Sequence, residues 1–195
     1  QTFNTEYFIH ASRLWTVVLE IAVLMSQSPS REIAEGTYRF RTLGLGYANI
    51  GSVLMTAGIP YDSAEAFALT GAITALMTGE AYSTSAEISG VVGPFAGYET
   101  NKEPMLNVLE MHTKEAKRID GSATNNDIRN SAVLAWEEAC EKGKRYGVRN
   151  SQTTVLAPTG TISFMMDCDT TGIEPGFSLV AYKKMVGGGF FRMIN

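Results

Sequence analysis

Residues 153–163 read TTVLAPTGTIS, and this stretch decides which fold and which function the sequence predicts. A β-branched run ends at Pro158, and three small residues follow it, namely Thr159, Gly160 and Thr161. The apolar run over 162–166 can then begin a helix. A strand, a loop of small residues and a helix start together aim backbone amides at a phosphate. The stretch therefore predicts an α/β fold with a loop that binds a nucleotide or a phosphorylated substrate.

The loop is interpreted further from its residue types. Gly160 permits a left-handed or crowded backbone, and the hydroxyls of Thr159, Thr161 and Ser163 add donors to the amides. An ordinary strand-to-helix turn explains the same spacing and stays open as an alternative. The loop is not a Walker loop, because no Gly-Lys-Ser/Thr sequence follows it.

Composition limits the class of protein. The chain has 195 residues, of which 45% are hydrophobic and 18% charged, enough for a sizeable core in one domain or in part of a larger one. Twenty acidic against 16 basic residues give no sign of a nucleic-acid partner or of a basic membrane patch. Two cysteines, Cys140 and Cys168, predict free thiols in a reducing cytoplasm. The apolar run over 14–25 is judged too short to span a bilayer, and Glu20 interrupts it.

Periodicity predicts alternating helices and short buried strands, which is typical of an α/β layer with parallel strands. Ser28 is expected to cap the second helix with Pro29 in its first turn, Asp62 to cap the fourth, and Pro104 to lie in the first turn of the fifth. Gly58 and Gly147 are expected to end helices. The predicted helices cover residues 8–25, 29–40, 49–57, 64–92, 103–118 and 130–145. The predicted strands cover residues 42–47, 153–157 and 177–182.

Other chemical candidates are weaker. The Gly-x-Gly-x-x-x-x-Gly pattern over 44–51 is interpreted as close packing rather than as a dinucleotide site. Acidic residues surround Cys168, so a metal or redox site competes there with an ordinary polar loop, which we favour; they are Asp167, Asp169 and Glu174. His10 and His112 lie far apart without partners at ligand spacing, so no metal site is predicted.

Several stretches carry a family resemblance. Residues 41–51 (RTLGLGYANIG), 149–162 (RNSQTTVLAPTGTI) and 167–175 (DCDTTGIEP) resemble the large chains of ribonucleotide reductases. Residues 79–82 and 93–95 fit the same pattern, and the motifs recur in the family's order over nearly the whole chain. The sequence of the phosphate loop resembles that of the adenosylcobalamin-dependent (class II) branch rather than that of the di-iron branch.

The resemblance implies a ten-stranded α/β barrel, of which this helix-rich chain with short parallel strands would be most of the second half. Residues 1–195 would then be a fragment of the catalytic barrel domain. By the same resemblance the substrate phosphates bind to Pro158, Thr159, Gly160, Thr161 and Ile162. The full-length parent would use adenosylcobalamin, a ribonucleoside diphosphate substrate, nucleotide effectors and a thioredoxin-type reductant. It would act in the cytoplasm and could form a homodimer, with no nucleic-acid or membrane partner.

The departures from the family are also informative. The family's radical cysteine lies in an Asn-x-Cys-x-Glu loop, which is absent here, and neither Cys140 nor Cys168 lies in such a motif. We therefore expect the thiyl and redox cysteines to lie outside this chain, with no catalytic residue inside it, and the fragment alone to be inactive. Two alternatives remain, a non-catalytic nucleotide- or phosphate-binding remnant or module, and a purely structural α/β module.

Overall fold

The computed structural model describes residues 3–194, which contain seven helices followed by two strands. They form two compact units, the first comprising Gln1–Leu45 and Asp62–Val155, and the second Gly46–Tyr61 and Leu156–Asn195. The first unit holds α1 (Thr5–Met25), α2 (Arg31–Phe40), α4 (Ala64–Val92), α5 (Tyr98–Arg118) and α6 (Asn126–Tyr146). The second unit holds α3 (Ile50–Ala57), α7 (Gly160–Met165), β1 (Val180–Lys184) and β2 (Phe190–Ile194).

The centre of the first unit is α4, whose bounds match the predicted helix. Small residues let neighbouring backbones approach it: a Cβ on Gly79 would lie 3.0 Å from the Cβ of Ala135 on α6. Every residue from 79 to 86 is buried, so this part of α4 is enclosed on all sides rather than amphipathic. Large side chains from α4, α5 and α6 complete the core, among them Tyr82, Leu109 and Trp136.

Helix α1 buries its polar face. Its buried residues are Thr5, Ser12, Thr16 and Glu20, and the Thr16 hydroxyl donates to the Ser12 carbonyl oxygen at 2.7 Å. The apolar residues that recur at helical spacing along α1 include Trp15, which is 54% exposed. Among the described residues, the buried face of α1 is therefore the polar one.

Helix α1 is longer than the apolar run over 14–25 that was judged too short to span a bilayer. It begins at Thr5 and has 21 residues, with a mean hydropathy of 1.5, so by length and composition alone it could cross a membrane. A single apolar helix near the N-terminus is weak evidence for a span. Glu20 of this helix is buried against Arg41 and Arg149, which is the packing of a protein interior.

The predicted strands are much reduced. Leu45 and Thr154 form one parallel bridge pair, in which the Leu45 amide donates to Thr153 O at 3.0 Å and the Val155 amide donates to Leu45 O at 2.8 Å. The parallel direction agrees with the prediction, but the described residues form no parallel sheet. A Cβ on Gly44 would lie 3.2 Å from Val155 Cγ1, so the glycine lets these two segments lie close together.

The second unit contains an antiparallel hairpin instead. Strand β1 begins at Val180, three residues after the predicted start, and pairs Val180 with Ile194 and Lys184 with Phe190. Gly188 and Gly189 in the turn have φ of 91° and 86°, a conformation that glycine adopts without steric cost. The two strands of this unit are therefore joined by a glycine-rich turn, as is usual for a hairpin.

Two predicted capping residues and the predicted start of α5 were wrong. Ser30, not Ser28, caps α2, and Ser63, not Asp62, caps α4 by accepting a hydrogen bond from the Ala66 amide at 3.1 Å. In each case the serine is the capping residue because it directly precedes the helix and has an extended backbone conformation. Helix α5 starts at Tyr98, so Pro104 lies inside it rather than in its first turn. Gly58 and Gly147 end α3 and α6 as predicted.

Candidate functional site

The loop over 158–162 lies in the second unit and opens directly into α7. Pro158, Gly160 and Thr161 are exposed, Ile162 is 50% exposed, and only Thr159 is partly buried. The structure therefore brings the five predicted residues together at an accessible surface.

The backbone of the loop reverses the roles predicted for Thr159 and Gly160. Thr159 has φ 59° and ψ 9°, the left-handed conformation, which costs a non-glycine residue about 1–2 kcal/mol. Gly160 is helical, and a Cβ added to it would meet nothing within 4 Å. Glycine in a helix costs about 0.5–1 kcal/mol relative to alanine. The prediction that Gly160 serves a left-handed or crowded backbone is therefore wrong, and both residues go against local preference.

The Thr159 hydroxyl is engaged by the protein itself. Its Oγ1 accepts a hydrogen bond from the Gly172 amide at 2.6 Å and lies 2.6 Å from the Ser163 Oγ. Ser163 is only 1% exposed, so this pair is shielded from solvent. The hydroxyl that the sequence assigned to phosphate binding therefore ties the loop to residues 163 and 172.

The first amides of α7 remain available. The opening N–H groups of an α-helix have no intrahelical partner, and in the described chain the side chain of Thr159 does not cap them. These amides belong to Gly160, Thr161 and Ile162, and the hydroxyl of Thr161 lies on the same exposed loop. The Lys183 ammonium, 4.3 Å from the centroid of the Phe164 ring, adds a positive charge against α7. The loop thus offers donors, with no acid among its five residues.

The segment over 169–174 holds the loop from behind and is itself held by the start of α3. The Asn49 side-chain oxygen accepts from the Thr170 amide at 3.0 Å, and the Ser52 amide donates to Thr170 Oγ1 at 3.2 Å. A Cβ on Gly51 would lie 2.6 Å from the Glu174 carbonyl oxygen, so only glycine fits there. The glycine pattern over 44–51 therefore serves packing, as predicted.

The acidic residues around Cys168 are engaged separately. The Ser52 hydroxyl donates to Asp169 Oδ2 at 3.2 Å, and the Thr171 hydroxyl donates to Glu174 Oε2 at 3.0 Å. Among residues 3–194 there is no group of three or more His, Cys, Asp or Glu side chains that could hold a metal ion. Cys140 and Cys168 are free thiols, and Cys140 Sγ lies 3.1 Å from the Thr113 hydroxyl.

The two histidines have separate surroundings. His10 is exposed on α1, whereas the His112 ring stacks on Trp136 with centroids 4.9 Å apart. Desolvation of the stacked face lowers the pKa of His112, and the Glu115 carboxylate opposes this only in part. Neither histidine lies in the unit that contains the loop.

A buried ionic network in the first unit was missed from the sequence. Glu20 accepts hydrogen bonds from Arg41, from Arg149 Nε at 2.8 Å and from Asn150 Nδ2 at 2.7 Å. The backbone amide of Asn150 also donates to the Ser85 hydroxyl oxygen at 3.0 Å. The available signal was the spacing of Ser12, Thr16 and Glu20 at four-residue intervals, which marks one polar helix face.

Comparison with protein families settles the relationship. The family model described as "Ribonucleotide reductase, barrel domain" matches residues 1–195. The chain belongs to the ribonucleotide reductase family. Its motifs over 41–51, 149–162 and 167–175 thus resemble the family because of common descent.

Individual relatives agree. The chain is 53% identical over 201 residues to a vitamin B12-dependent ribonucleotide reductase of Agrobacterium fabrum, covering 95% of this chain and 16% of that protein. It is 50% identical to the protein of the same name from Rhodopirellula baltica, covering 100% of this chain and 19% of that protein. A ribonucleoside-diphosphate reductase subunit alpha of Mycoplasma genitalium is 26% identical over 89% of this chain and 26% of its own length. The chain therefore spans less than a fifth of the first two relatives.

Proposed function

We propose that this chain is part of the second half of the ten-stranded α/β barrel of an adenosylcobalamin-dependent ribonucleoside-diphosphate reductase. Residues 1–195 would be a fragment of the catalytic barrel domain, and the loop Pro158–Ile162 would bind the substrate's diphosphate. The intact enzyme would replace the ribose 2′-hydroxyl with hydrogen by thiyl-radical chemistry. The radical and redox cysteines would lie in the rest of the enzyme, since neither cysteine here occurs in an Asn-x-Cys-x-Glu sequence.

The observation that carries the proposal is the reversed pair Thr159–Gly160. Among residues 3–194, Gly160 is needed neither for a left-handed backbone nor for packing, because it is helical and a Cβ there would meet no atom within 4 Å. A ligand that approaches the backbone closely is a physical reason for a glycine at such a position. Since a Cβ tilts toward the N-terminus of its helix, a side chain at 160 would extend toward the volume that the free amides face.

The loop's chemistry fits a diphosphate. Backbone amides and the Thr161 hydroxyl would donate to phosphate oxygens, and hydrogen bonds to such charged groups are worth about 1.5–3 kcal/mol each. Fixing the diphosphate would hold the ribose in one orientation for the radical step. The diphosphate preference is supported by the name of the Mycoplasma relative, a ribonucleoside-diphosphate reductase subunit alpha, and by the sequence of the loop.

Adenosylcobalamin is proposed as the cofactor because relatives that are 42–53% identical to this chain are named vitamin B12-dependent ribonucleotide reductases. Two surface grooves of the first unit, of about 500 and 490 Å³, lie along α5 and are lined largely by lysine and glutamate side chains. A macrocycle would have to desolvate those charges, so these grooves do not fit it. No residue of this chain is assigned to the cofactor. Nucleotide effectors, a thioredoxin-type reductant, a homodimer and a cytoplasmic location are proposals for the intact enzyme.

The test is the variant Thr161→Val in the intact reductase, which keeps the side-chain shape and removes the exposed hydroxyl. We expect the KM for cytidine diphosphate to rise about 10- to 150-fold, which corresponds to one hydrogen bond to a charged group. Inhibition by unphosphorylated cytidine should be unchanged, because that ligand has no group for the loop. A KM within twofold of the wild type would remove the phosphate role from this loop.

A further inference from the structure

We propose that Thr159 is a positioning residue that locks the loop to the segment over 170–174, and that its hydroxyl does not bind the phosphate. The inference rests on the proposed function of the loop and divides its residues into two roles. Thr159 faces the protein, while Gly160, Thr161 and Ile162 present their amides to the ligand. The loop is then held in its binding shape before any substrate arrives.

The hydrogen-bonding capacity of one hydroxyl supports this division. A threonine hydroxyl has one proton to donate and two lone pairs to accept with. The Gly172 amide takes one lone pair at 2.6 Å, and the contact with Ser163 Oγ, also 2.6 Å, takes either the proton or the second lone pair. Ser163 is 1% exposed, so bulk solvent does not replace Thr159 as the hydrogen-bond partner of its hydroxyl.

The other half of the lock is also rigid. Gly172 has φ 45°, and a Cβ there would lie 2.7 Å from the Ala157 carbonyl oxygen, so this backbone lies directly against the loop. The Glu174 amide donates to Thr171 O at 2.9 Å and closes a turn around Gly172. Thr170, 4% exposed, connects this turn to the start of α3. The loop is thus fixed through one hydroxyl to an ordered part of the same unit.

The residue type at 159 points the same way. A left-handed backbone favours glycine or asparagine and disfavours a β-branched side chain. Threonine is nevertheless present, so the position requires something that glycine lacks. The hydroxyl meets that requirement, because it closes the contacts to Gly172 and Ser163 that a glycine would leave open.

The experiment uses the intact reductase with Thr159→Val, which removes the hydroxyl, and Thr159→Ser, which keeps it. Amide hydrogen exchange is measured by mass spectrometry, without any nucleotide, on peptides that cover Gly172. We expect the Gly172 amide to exchange at least 10-fold faster in Thr159→Val and at the wild-type rate in Thr159→Ser. The KM for cytidine diphosphate should rise at least fivefold in Thr159→Val and return to within twofold in Thr159→Ser.

The comparison with Thr161→Val separates the two proposals. That variant should raise KM without changing exchange at Gly172, because within the described residues no hydrogen bond joins the Thr161 hydroxyl to the segment behind the loop. Unchanged exchange at Gly172 in Thr159→Val overturns the positioning role and leaves the phosphate role of Thr161 standing. Unchanged KM in both variants overturns the phosphate role itself. If Thr159→Val does not fold, Thr159→Gly relieves the left-handed backbone and removes the same hydroxyl, and its Gly172 exchange decides the question.

Discussion

Substitution of Gly160 by alanine should move stability and substrate binding in opposite directions. The new Cβ meets nothing within 4 Å, so it introduces no clash in the described residues. Replacing a helical glycine by alanine stabilises a protein by about 0.5–1 kcal/mol, in part because the unfolded chain loses freedom. We therefore expect a thermal unfolding midpoint for Gly160→Ala that is equal to or above that of the wild type.

The same methyl group should weaken substrate binding. It extends toward the N-terminus of α7, where the free amides would meet the diphosphate, and the loss of one such contact costs about 1.5–3 kcal/mol. That loss corresponds to a rise in KM for cytidine diphosphate of about 10- to 150-fold. The assay is the initial rate of reduction in the intact reductase as a function of cytidine diphosphate concentration.

A matched control is available in α2. Gly36 is also helical and exposed, and its Cβ position likewise has nothing within 4 Å. Gly36→Ala should therefore give the same stabilisation and leave KM unchanged. If Gly160→Ala and Gly36→Ala behave alike in both measurements, Gly160 is an ordinary surface glycine and the argument from its open surroundings fails. A fall in stability for Gly160→Ala would equally contradict the reasoning.

Two further predictions concern the first unit. Glu20→Gln removes the carboxylate shared by Arg41 and Arg149 and should cost about 3–5 kcal/mol of stability. The control Glu35→Gln breaks only an exposed ion pair and should cost less than about 1 kcal/mol. Thermal unfolding of both variants measures the difference, and equal losses would contradict the prediction. The folded-state pKa of His112 is lowered, so as pH falls below about 6.5 the unfolded chain binds the proton first and stability is lost. Unfolding measured at pH 7.5 and 5.5 should therefore show a smaller loss of stability for His112→Gln than for the control His10→Gln.

The sequence predicted helices better than it predicted what they face. Helix α4 was predicted from Ala64 to Val92, and these are its bounds: no proline interrupts the run, Ser63 caps its start and Gly93 follows its end. Helix α1 was predicted as well, but its buried face is polar and centred on Glu20. Periodicity reports that one side of a helix is apolar, and it does not report what covers that side. This chain spans 16% and 19% of its relatives from Agrobacterium fabrum and Rhodopirellula baltica, so the residues that cover the apolar side of α1 need not belong to it.

The strands show a different limit of sequence reasoning. Residues 42–47 and 153–157 were predicted to be parallel neighbours, and Leu45 and Thr154 do pair in that direction. A regular strand depends on a neighbouring strand that completes its hydrogen-bond ladder, and local propensity cannot supply that neighbour. The ten-stranded barrel therefore stays a prediction for the intact protein.

The loop could be located from sequence, but its division of labour could not. Small residues between a β-branched run and an apolar run indicated where amides would be exposed. Which residue takes the left-handed backbone depends on what its side chain contacts, and the Thr159 hydroxyl finds Gly172, thirteen residues further along the chain. A local rule assigns that backbone to Gly160, because glycine adopts it at least cost. The reversed order is therefore informative: threonine is kept where a hydroxyl is needed at some cost in strain, and glycine where open space is needed at some cost in helix stability.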